Sequence, residues 1–392
     1  MPVKSVAIIG AGVAGLTAAL SFARYGVRCD ILEQAERLEE VGAGLQVSPN
    51  AARILAELGV LPALERQWLE PETVDLVSGL SMKRLVSLPM REVARNRWGA
   101  PYGVMHRATL QEALLGAVQG NPLCKLHLGK RLDEVSKSTI TSMTFQEHDL
   151  IVGADGVWSS ARFAVPGSPA ATFSGNIAWR FTIAAGDVPD FLRSQSVKAF
   201  LGPAAHLVAY PLTEKSGFNI VAIAAGANPG DTWKAEAQGK QHTLLMNQFR
   251  GWNPAFSDLL RKVAKPTFWP LFQAGEGRWH NGSDTVLIGD AAHAMMPFAA
   301  QGAAMAIEDA FELAAFVERG SSLSAALANF EAHRLPRIEK ARKRANVNKF
   351  AYHARGPMRL GRDLLLSMRP PEAFLADFDW LYGYRAEGLT SG

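Results

Sequence analysis

The stretch Val6-Ala-Ile-Ile-Gly10-Ala-Gly12-Val-Ala-Gly15 decides the fold. Its first four residues form a short apolar run, typical of a strand buried on both faces. Gly10 allows a tight turn, Gly12 lets a pyrophosphate approach the backbone, and Gly15 lets helix and strand pack closely. The N-terminus of the following helix would offer N–H donors and a partial positive charge to that phosphate. The stretch therefore predicts a dinucleotide-binding turn.

The residues that follow complete this unit. Residues 16–25 read as a helix that stops at Gly26, and residues 27–32 read as a second strand. Glu33 ends that strand, where its carboxylate can accept two hydrogen bonds from a ribose diol. A GxGxxG motif alone also fits a purely structural turn, and the N-terminal segment resembles a signal peptide in composition. The order of strand, helix, strand and acid favours dinucleotide binding over both alternatives.

Two later segments each have the form of a buried strand that ends at an acidic residue. The first, residues 148–156, ends in an Asp-Gly pair at Asp155. The second, residues 284–290, ends in a Gly-Asp pair at Asp290. Because α/β sheets carry their ligand contacts at the carboxyl ends of the strands, we expect both carboxylates to face a bound molecule.

The three motifs together resemble the single-component (class A) flavoprotein aromatic hydroxylases, the family of para-hydroxybenzoate hydroxylase and salicylate hydroxylase. The resemblance runs from Val6 to about Ala315 and includes residues 42–50, 106–111 and 300–309. It is closest to the branch of salicylate, hydroxybenzoate and hydroxynicotinate monooxygenases. It implies an α/β fold (α+β, two-domain), with a Rossmann-like FAD-binding domain and an interleaved, sheet-rich substrate domain.

The resemblance also implies how the chain divides between these domains. The FAD-binding domain would be discontinuous and comprise residues 1–72, 101–165 and 276–350. The substrate domain would comprise residues 73–100 and 166–275, followed by a C-terminal helical tail over 351–392.

A noncovalent FAD is the cofactor that the resemblance implies. The residues that it assigns to FAD are Gly10, Gly12, Ala14, Gly15, Glu33, Gly44, Arg107, Gln111, Asp155, Gly156, Arg162, Gly289, Asp290, Gln301, Gly302, Ala303 and Ala304. The Asp155-Gly156 turn would also serve NAD(P)H as a transient electron donor, since the chain has no second GxGxxG. A helix predicted over 303–317 would direct its N-terminus at the flavin ring and favour an anionic reduced flavin by roughly 0.3–2 kcal/mol. Relatives often carry Gly and Asn where this chain has Ala300 and Ala304.

The implied reaction is hydroxylation of a small aromatic or N-heteroaromatic acid or phenol, with NAD(P)H and O₂, through a flavin C4a-hydroperoxide. One alternative is the same chemistry on a larger polyketide, quinone-precursor or antibiotic-like ring. A second alternative is a flavin-binding redox module without turnover, and a flavin halogenase is disfavoured because no WxWxIP pattern is present. The intact acidic motifs favour a hydroxylase.

Such an enzyme needs a base that removes the phenol proton, and His or Tyr suits this role. His206 and Tyr210 lie four residues apart, so on a strand they share one face. Arg180 is a candidate carboxylate anchor because its guanidinium can pair bidentately. The alternatives are an exposed strand-end His206, a packing role for Tyr210 and a structural ion pair for Arg180. The remaining residues assigned to the pocket are Pro297 beside the ring and Gln46, Met295, Met296 and Phe298 in its wall.

Periodicity supplies four local predictions. Residues 71–97 and 172–223 alternate in polarity and read as strands. Residues 242–263 read as a helix that Trp252-Asn-Pro254 breaks. Residues 333–344 form a basic helical stretch, which we interpret as a solvated helix face rather than an anion-binding surface.

Composition excludes several classes of protein. Among 392 residues, 41 Lys and Arg against 37 Asp and Glu leave a charge of only +4, which does not indicate nucleic-acid binding. No apolar run reaches the ~20 residues of a membrane span. Two cysteines exclude a disulfide framework, and the nine histidines show no metal-ligand spacing. We therefore expect a cytoplasmic monomer or homodimer without a metal.

Overall fold

The computed structural model describes residues 3–38, 44–168, 170–213, 217–227, 238–263 and 266–390, so residues 42–43 of the motif quoted above lie outside it. The strands are β1 Ser5–Ile9, β2 Arg28–Leu32, β3 Gly44–Val47, β4 Thr73–Ser78, β5 Arg84–Pro89, β6 Gly103–His106, β7 Cys124–His127, β8 Leu150–Gly153, β9 Ala171–Ala184, β10 Val197–Gly202, β11 Ala205–Leu212, β12 Gly217–Ala225, β13 Thr267–Ala274 and β14 Thr285–Leu287. The helices are α1 Val13–Ala23, α2 Pro49–Glu57, α3 Leu61–Glu65, α4 Arg91–Trp98, α5 Arg107–Gln119, α6 Lys137–Thr144, α7 Gln238–Gln248, α8 Pro254–Arg261, α9 Asp290–His293, α10 Gly302–Arg319, α11 Leu323–Tyr352, α12 Gly356–Met368, α13 Pro371–Ala376 and α14 Asp379–Tyr382.

The first sheet has five parallel strands in the order β14-β8-β1-β2-β7. All five residues of β1 are buried, as a strand covered on both faces requires. Helix α1 packs so closely on the turn after β1 that a Cβ at Gly15 would lie 1.9 Å from the carbonyl oxygen of Gly10. The predicted α/β fold is confirmed, and Gly15 has the packing role expected of it.

The second sheet has seven strands in the order β13-β9-β12-β11-β10-β4-β5, antiparallel except for the β10–β4 pair. Its outer face carries Trp179 and Ile220, which pack in one cluster with Phe249 of α7's C-terminal end and Phe256 of α8. Its inner face carries Ala178 and Ile223, which pack against Met296 and Phe298. The inner face therefore borders the segment that leads into α10.

One predicted strand is a helix. Residues 91–97 belong to α4, whereas their alternating polarity suggested a strand. Helix-forming Arg, Glu and Ala dominate this segment, and Gly99 ends it in the left-handed conformation at φ 71°. Surface salt bridges of Arg95 with Glu65 and Glu70 also stabilise this helix. Helix propensity and the glycine cap thus outweigh the local alternation.

The basic stretch of α11 also differs from the solvated helix face that the sequence predicts. Arg334 is fully buried and Arg337 nearly so. Arg334 donates to Glu308, Asp309 and Glu312 of α10 at 2.8–2.9 Å. The prediction is therefore wrong for Arg334 and Arg337, which lie in the α10–α11 contact because the three acids face them from another helix, whereas Lys340 and Lys343 are exposed as predicted.

The C-terminal helices fold back onto the rest of the chain. Asp379 of α14 pairs with Arg97 at 2.6 Å and accepts a hydrogen bond from Trp98 at 2.8 Å. Arg337 donates to the carbonyl groups of Trp380 and Leu381. These contacts hold α14 against α4 and against the middle of α11.

Candidate active site

The turn after β1 is shaped to admit a ligand. Gly10 has φ +100°, which favours glycine, and its N–H donates to Leu32 in β2. Gly12 has ordinary backbone angles, yet a Cβ built there would meet no atom within 4 Å. No described side chain caps the N-terminus of α1. Open space beside uncapped N–H groups fits the predicted pyrophosphate.

Glu33 stabilises this turn and retains hydrogen-bond acceptor positions for a sugar. Its carboxylate accepts from the N–H of Ala11 at 2.8 Å and from that of Ala35 at 2.9 Å. A carboxylate has about four acceptor positions, so two remain for a ribose diol. Gln111 in α5 donates to the carbonyl of Ala11 at 3.2 Å, and Arg107 begins the same helix with an exposed side chain.

The two acidic motifs are held together by Arg162. This arginine donates at 2.6 Å to three backbone carbonyl groups, those of Val157, Asp290 and Ala291. Asp155 accepts from the N–H groups of Ser160 and Ala161 through Oδ2, while its buried Oδ1 has no partner among the described residues. An orphaned carboxylate oxygen beside the exposed Asp290 fits the hydroxyl groups of a bound nucleotide or ribityl chain.

Gly289, Gly156 and Ala14 complete this part of the site. Gly289 has φ +58°, and a Cβ there would lie 3.3 Å from Ala14 and 3.0 Å from Ala306. Gly156 has φ +78° and open space around it. Glycine at position 289 lets the start of α9 lie close to α1 and α10, whereas Gly156 borders open space.

The N-terminus of α10 is uncapped by any described side chain. Gln301 is buried and turns its side chain to Ser48, donating through Nε2 at 3.1 Å, so only its backbone is available to a ligand. Gly302 and Ala303 are half-buried and Ala304 is buried. Uncapped N–H groups at this end of an 18-residue helix fit a developing negative charge on a flavin ring.

Ala300 precedes this helix in a conformation that favours glycine. Its φ of +51° places it in the left-handed region. Ala300→Gly should raise the free energy of unfolding by about 0.5–1 kcal/mol, because relief of Cβ strain outweighs the added freedom of the unfolded chain. Urea unfolding tests this, with Ala299→Gly as the matched control that should destabilise. An equal loss in both variants would show that Ala300 is not strained.

The inner face of the second sheet places the predicted pocket residues in adjacent rows. His206 pairs with Ile223 and Tyr210 with Asn219 across β11 and β12. Between them lies the row Val208, Val221 and Arg180, all half-buried. Because neighbouring strands lie about 4.8 Å apart, Arg180 is roughly 10 Å from Val208 on the same face. These valines keep partial exposure although they lie in the middle of a sheet, so the residues packed on this face do not cover them completely.

His206 is 1% exposed and lies against Phe298, with ring centroids 5.0 Å apart. Its Nδ1 is 2.9 Å from Nε2 of His353, the residue that ends α11. Burial lowers the pKa of His206 well below its usual range, and the neighbouring His353 adds to this. Burial lowers the pKa of His353 to about 4, helped by Lys349 and Arg355. Both rings are therefore neutral at neutral pH.

Tyr210 forms a second polar group beside β3. A Cβ at Gly44 would lie 2.7 Å from the hydroxyl of Tyr210, so glycine is required for this close approach. The N–H of Gly44 donates to Oδ1 of Asn219 at 2.6 Å, which leaves the buried Nδ2 without a partner among the described residues. Gln46 accepts from the buried Tyr102 hydroxyl. Gly44, assigned to the cofactor, therefore also contacts Tyr210 and Asn219 on the face of the predicted pocket.

The other predicted wall residues lie nearby. Met296 and Phe298 are buried against the inner face, while Met295 and Pro297 are half-buried. The guanidinium of Arg180 lies 5.8 Å from the centre of the Trp269 ring. His293 bonds to the buried Asp309 behind α10, which suits a structural role.

Sequence reasoning missed His353, Asn219 and Tyr102. Tyr102 lies shortly before residues 106–111, so attention to the residues around that motif could have identified it. Asn219 stands in an apolar run, where a lone amide signals a buried polar contact. His353 carries no local signal, because its partner is 147 residues away.

Within the described ranges, no helix combines the length and hydropathy needed to cross a bilayer. In the same part of the chain, no three His, Cys, Asp or Glu side chains are grouped to hold a metal ion.

Comparison with known proteins defines the family. Residues 4–345 match the family described as FAD binding domain. The chain is 33% identical to a 3-amino-4-hydroxybenzoate 2-monooxygenase of Streptomyces platensis, over 98% of this chain and 97% of the relative. It is 31% identical to a 3-hydroxybenzoate 6-hydroxylase of Aquipseudomonas alcaligenes, over 97% and 98%. Klebsiella pneumoniae HpxO, crystallised with FAD and uric acid, has the same fold with a TM-score of 0.80 at 21% identity, over 95% of both chains.

The matches cover the three motifs, the second sheet and most of the C-terminal helices. They confirm FAD, the cofactor that the resemblance to the flavoprotein hydroxylases implied. The chain belongs to the family of FAD-dependent aromatic hydroxylases.

Proposed function

We propose that this enzyme hydroxylates a small aromatic or N-heteroaromatic acid or phenol, with NAD(P)H and O₂ as co-substrates. One observation carries the proposal: His206 and Tyr210 share a buried sheet face beside the segment that leads into the uncapped N-terminus of α10. The relatives named above act on hydroxybenzoates, which supports a substrate of this size and charge.

The residues at the turn after β1 would hold the diphosphate and ribose of FAD, and the acidic motifs its ribityl chain. When bound, FAD supplies the redox chemistry with NAD(P)H and O₂. The protein contributes binding, orientation and the exclusion of water. The Asp155 loop, tied to α9 by Arg162, is the part of the chain that we assign to the approach of NAD(P)H.

His206 would accept the phenol proton, which raises the electron density of the ring before oxygen transfer. The Tyr210 hydroxyl, near Gly44 and Asn219, would orient the phenol oxygen. The buried Nδ2 of Asn219 has no hydrogen-bond partner among the described residues, and a buried donor of this kind costs about 1–3 kcal/mol when it stays unpaired. A substrate oxygen at this position would satisfy it.

Arg180 lies in the row between His206 and Tyr210, where it would pair with a substrate carboxylate. Phe298 and Met296 close the other end of the inner face. These walls favour a single ring over a polyketide. Buried polar atoms that have no hydrogen-bond partner among the described residues favour an enzyme over a redox module without turnover.

Substrate-stimulated oxidation of NAD(P)H across a panel of hydroxybenzoates and hydroxypyridine acids tests the function. At least one compound should stimulate oxidation and yield a hydroxylated product. Stimulation by none of the single-ring acids, with turnover of a polyketide phenol, would contradict the proposed substrate class.

The fit of FAD to the turn after β1 gives a sharp prediction. Gly12→Val should weaken FAD binding about 10–100-fold, since the side chain would occupy the space beside the α1 N-terminus and displace charge-assisted hydrogen bonds. Gly186→Val is the matched control, because Gly186 also has open surroundings but lies in the β9–β10 connection. Fluorescence titration of both apoproteins measures the affinity. Unchanged FAD affinity in Gly12→Val would remove the pyrophosphate from this position.

A further inference from the structure

The contact between His206 and His353 joins the pocket to the surface. His206 is buried, whereas His353 is partly exposed at the C-terminal end of α11. Nδ1 of His206 and Nε2 of His353 are 2.9 Å apart, a distance that requires a shared proton. The second ring nitrogen of His206 makes no hydrogen bond to any described residue and remains free for a substrate.

The position of His353 is fixed by its backbone. Its carbonyl oxygen accepts from the N–H of Ala204, in the turn between β10 and β11, at 3.2 Å. Arg362 of α12 donates to the carbonyl groups of Ala351 and Tyr352, which holds the end of α11 in place. The hairpin that carries His206 is therefore tied to the ring that touches it.

We propose that His353 is the positioning and proton-relay residue of this site, carrying the phenol proton from His206 to solvent. The inference rests on the proposed function. As the phenol O–H bond breaks, an N–H bond forms at Nε2 of His206, and the Nδ1–H of His206 passes to Nε2 of His353. The Nδ1–H of His353 then passes to water. The substrate becomes a phenolate, one proton enters the solvent, and no electron is transferred.

Burial supports this route. An imidazolium at His206 is disfavoured, as the lowered pKa shows, so a proton taken at one nitrogen must leave at the other. The groups facing His353 include Lys349 and Arg355, which also disfavour a resident cation there. Tyr352 packs on His206, but its side chain is half-buried and desolvation raises the pKa of its phenol. Both imidazoles therefore pass the proton on rather than keep it.

The experiment uses the oxidised, FAD-loaded enzyme without NAD(P)H and a chromophoric phenol, 3-hydroxy-4-nitrobenzoate, at a pH where the free probe is protonated. Stopped-flow absorbance follows phenolate formation, and a pH indicator follows proton release. His353→Ala should slow both about 10²-fold, the low end for a lost acid–base group. Added imidazole should restore the rate in His353→Ala. Tyr352→Phe, which keeps the ring but not the hydroxyl, should match the parent.

His353→Gln provides a second variant, because its amide can accept from His206 but cannot relay a proton. His353→Gln should slow phenolate formation and proton release as much as His353→Ala does. Added imidazole should not restore these rates, since the glutamine side chain fills the space that imidazole would enter. Parental rates in both His353 variants, or slowing of His353→Ala that imidazole does not relieve, would overturn the relay. A parent enzyme that forms no phenolate with the probe would instead contradict the proposed function.

Discussion

Replacing His206 with alanine, or Tyr210 with phenylalanine, is expected to lower hydroxylation by about 10²–10⁴-fold, the usual contribution of a general base. NAD(P)H oxidation should persist and be diverted to hydrogen peroxide, because the FAD-binding turn and the acidic motifs are untouched. The measurement is product formed per NAD(P)H oxidised, in variant and parent, at saturating substrate.

Two further variants separate chemistry from packing. His206→Gln keeps most of the side-chain volume against Phe298 and should lose coupling like the alanine variant. His242→Gln is the matched control, since His242 bonds to the carbonyl of Leu260 on the outer side of the second sheet. Parental coupling in both His206→Ala and Tyr210→Phe would remove the pair from the mechanism and direct attention to Arg180 and Gln46.

Arg334→Met is expected to lower the free energy of unfolding by about 3–5 kcal/mol. The guanidinium is fully buried and bonds to three buried carboxylates, those of Glu308, Asp309 and Glu312. Removing one partner of a buried charge cluster leaves the others uncompensated, which costs far more than the loss of a surface pair. Arg334 also helps to hold the pKa of Asp309 down at about 2. Urea unfolding of the FAD-loaded enzyme measures the effect.

The control for this variant is Lys343→Met on the exposed side of the same helix. It should change stability by no more than about 0.5 kcal/mol. Carboxylates whose pKa is lowered stabilise the fold above their unfolded value near 3.9 and lose that effect as the pH falls toward 2. The Arg334→Met penalty should therefore shrink in acid, and a penalty below about 1 kcal/mol at neutral pH would contradict the cluster's stabilising role.

The nucleotide half of the site was predictable because its parts are local. Four of its residues lie within 24 positions of the chain: Gly10, Gly12, Gly15 and Glu33. At each of them the backbone or the ligand requires a property that only glycine, or only an acidic residue, provides. In the structure a Cβ at Gly15 would lie only 1.9 Å from the carbonyl oxygen of Gly10, and Gly12 borders open space, as the motif requires. The same holds for Arg162, whose three carbonyl partners lie at the end of the two acidic motifs or directly after them.

The half of the site that we assign to the substrate was predictable only as a strand face. Period-two alternation places His206 and Tyr210 on one side of β11, and the structure agrees. Which side faces the FAD domain, and what lies opposite, depends on β12, β3 and the end of α11. The Asn219 contact with Gly44 spans 175 residues and the His206–His353 contact spans 147. The periodicity of a local segment does not indicate contacts between residues so far apart in the chain.

The sequence by itself determined the dinucleotide turn and the acidic motifs, since these depend on neighbouring residues and their backbone angles, while the chemistry was implied by the resemblance to the flavoprotein hydroxylases. It misread Arg334 and Arg337 as solvated, because helix periodicity does not show that the facing helix carries Glu308, Asp309 and Glu312. Only the tertiary structure decided the surroundings of the substrate pocket. Burial and pairing of charges depend on which distant elements meet, and that follows from packing over the whole chain.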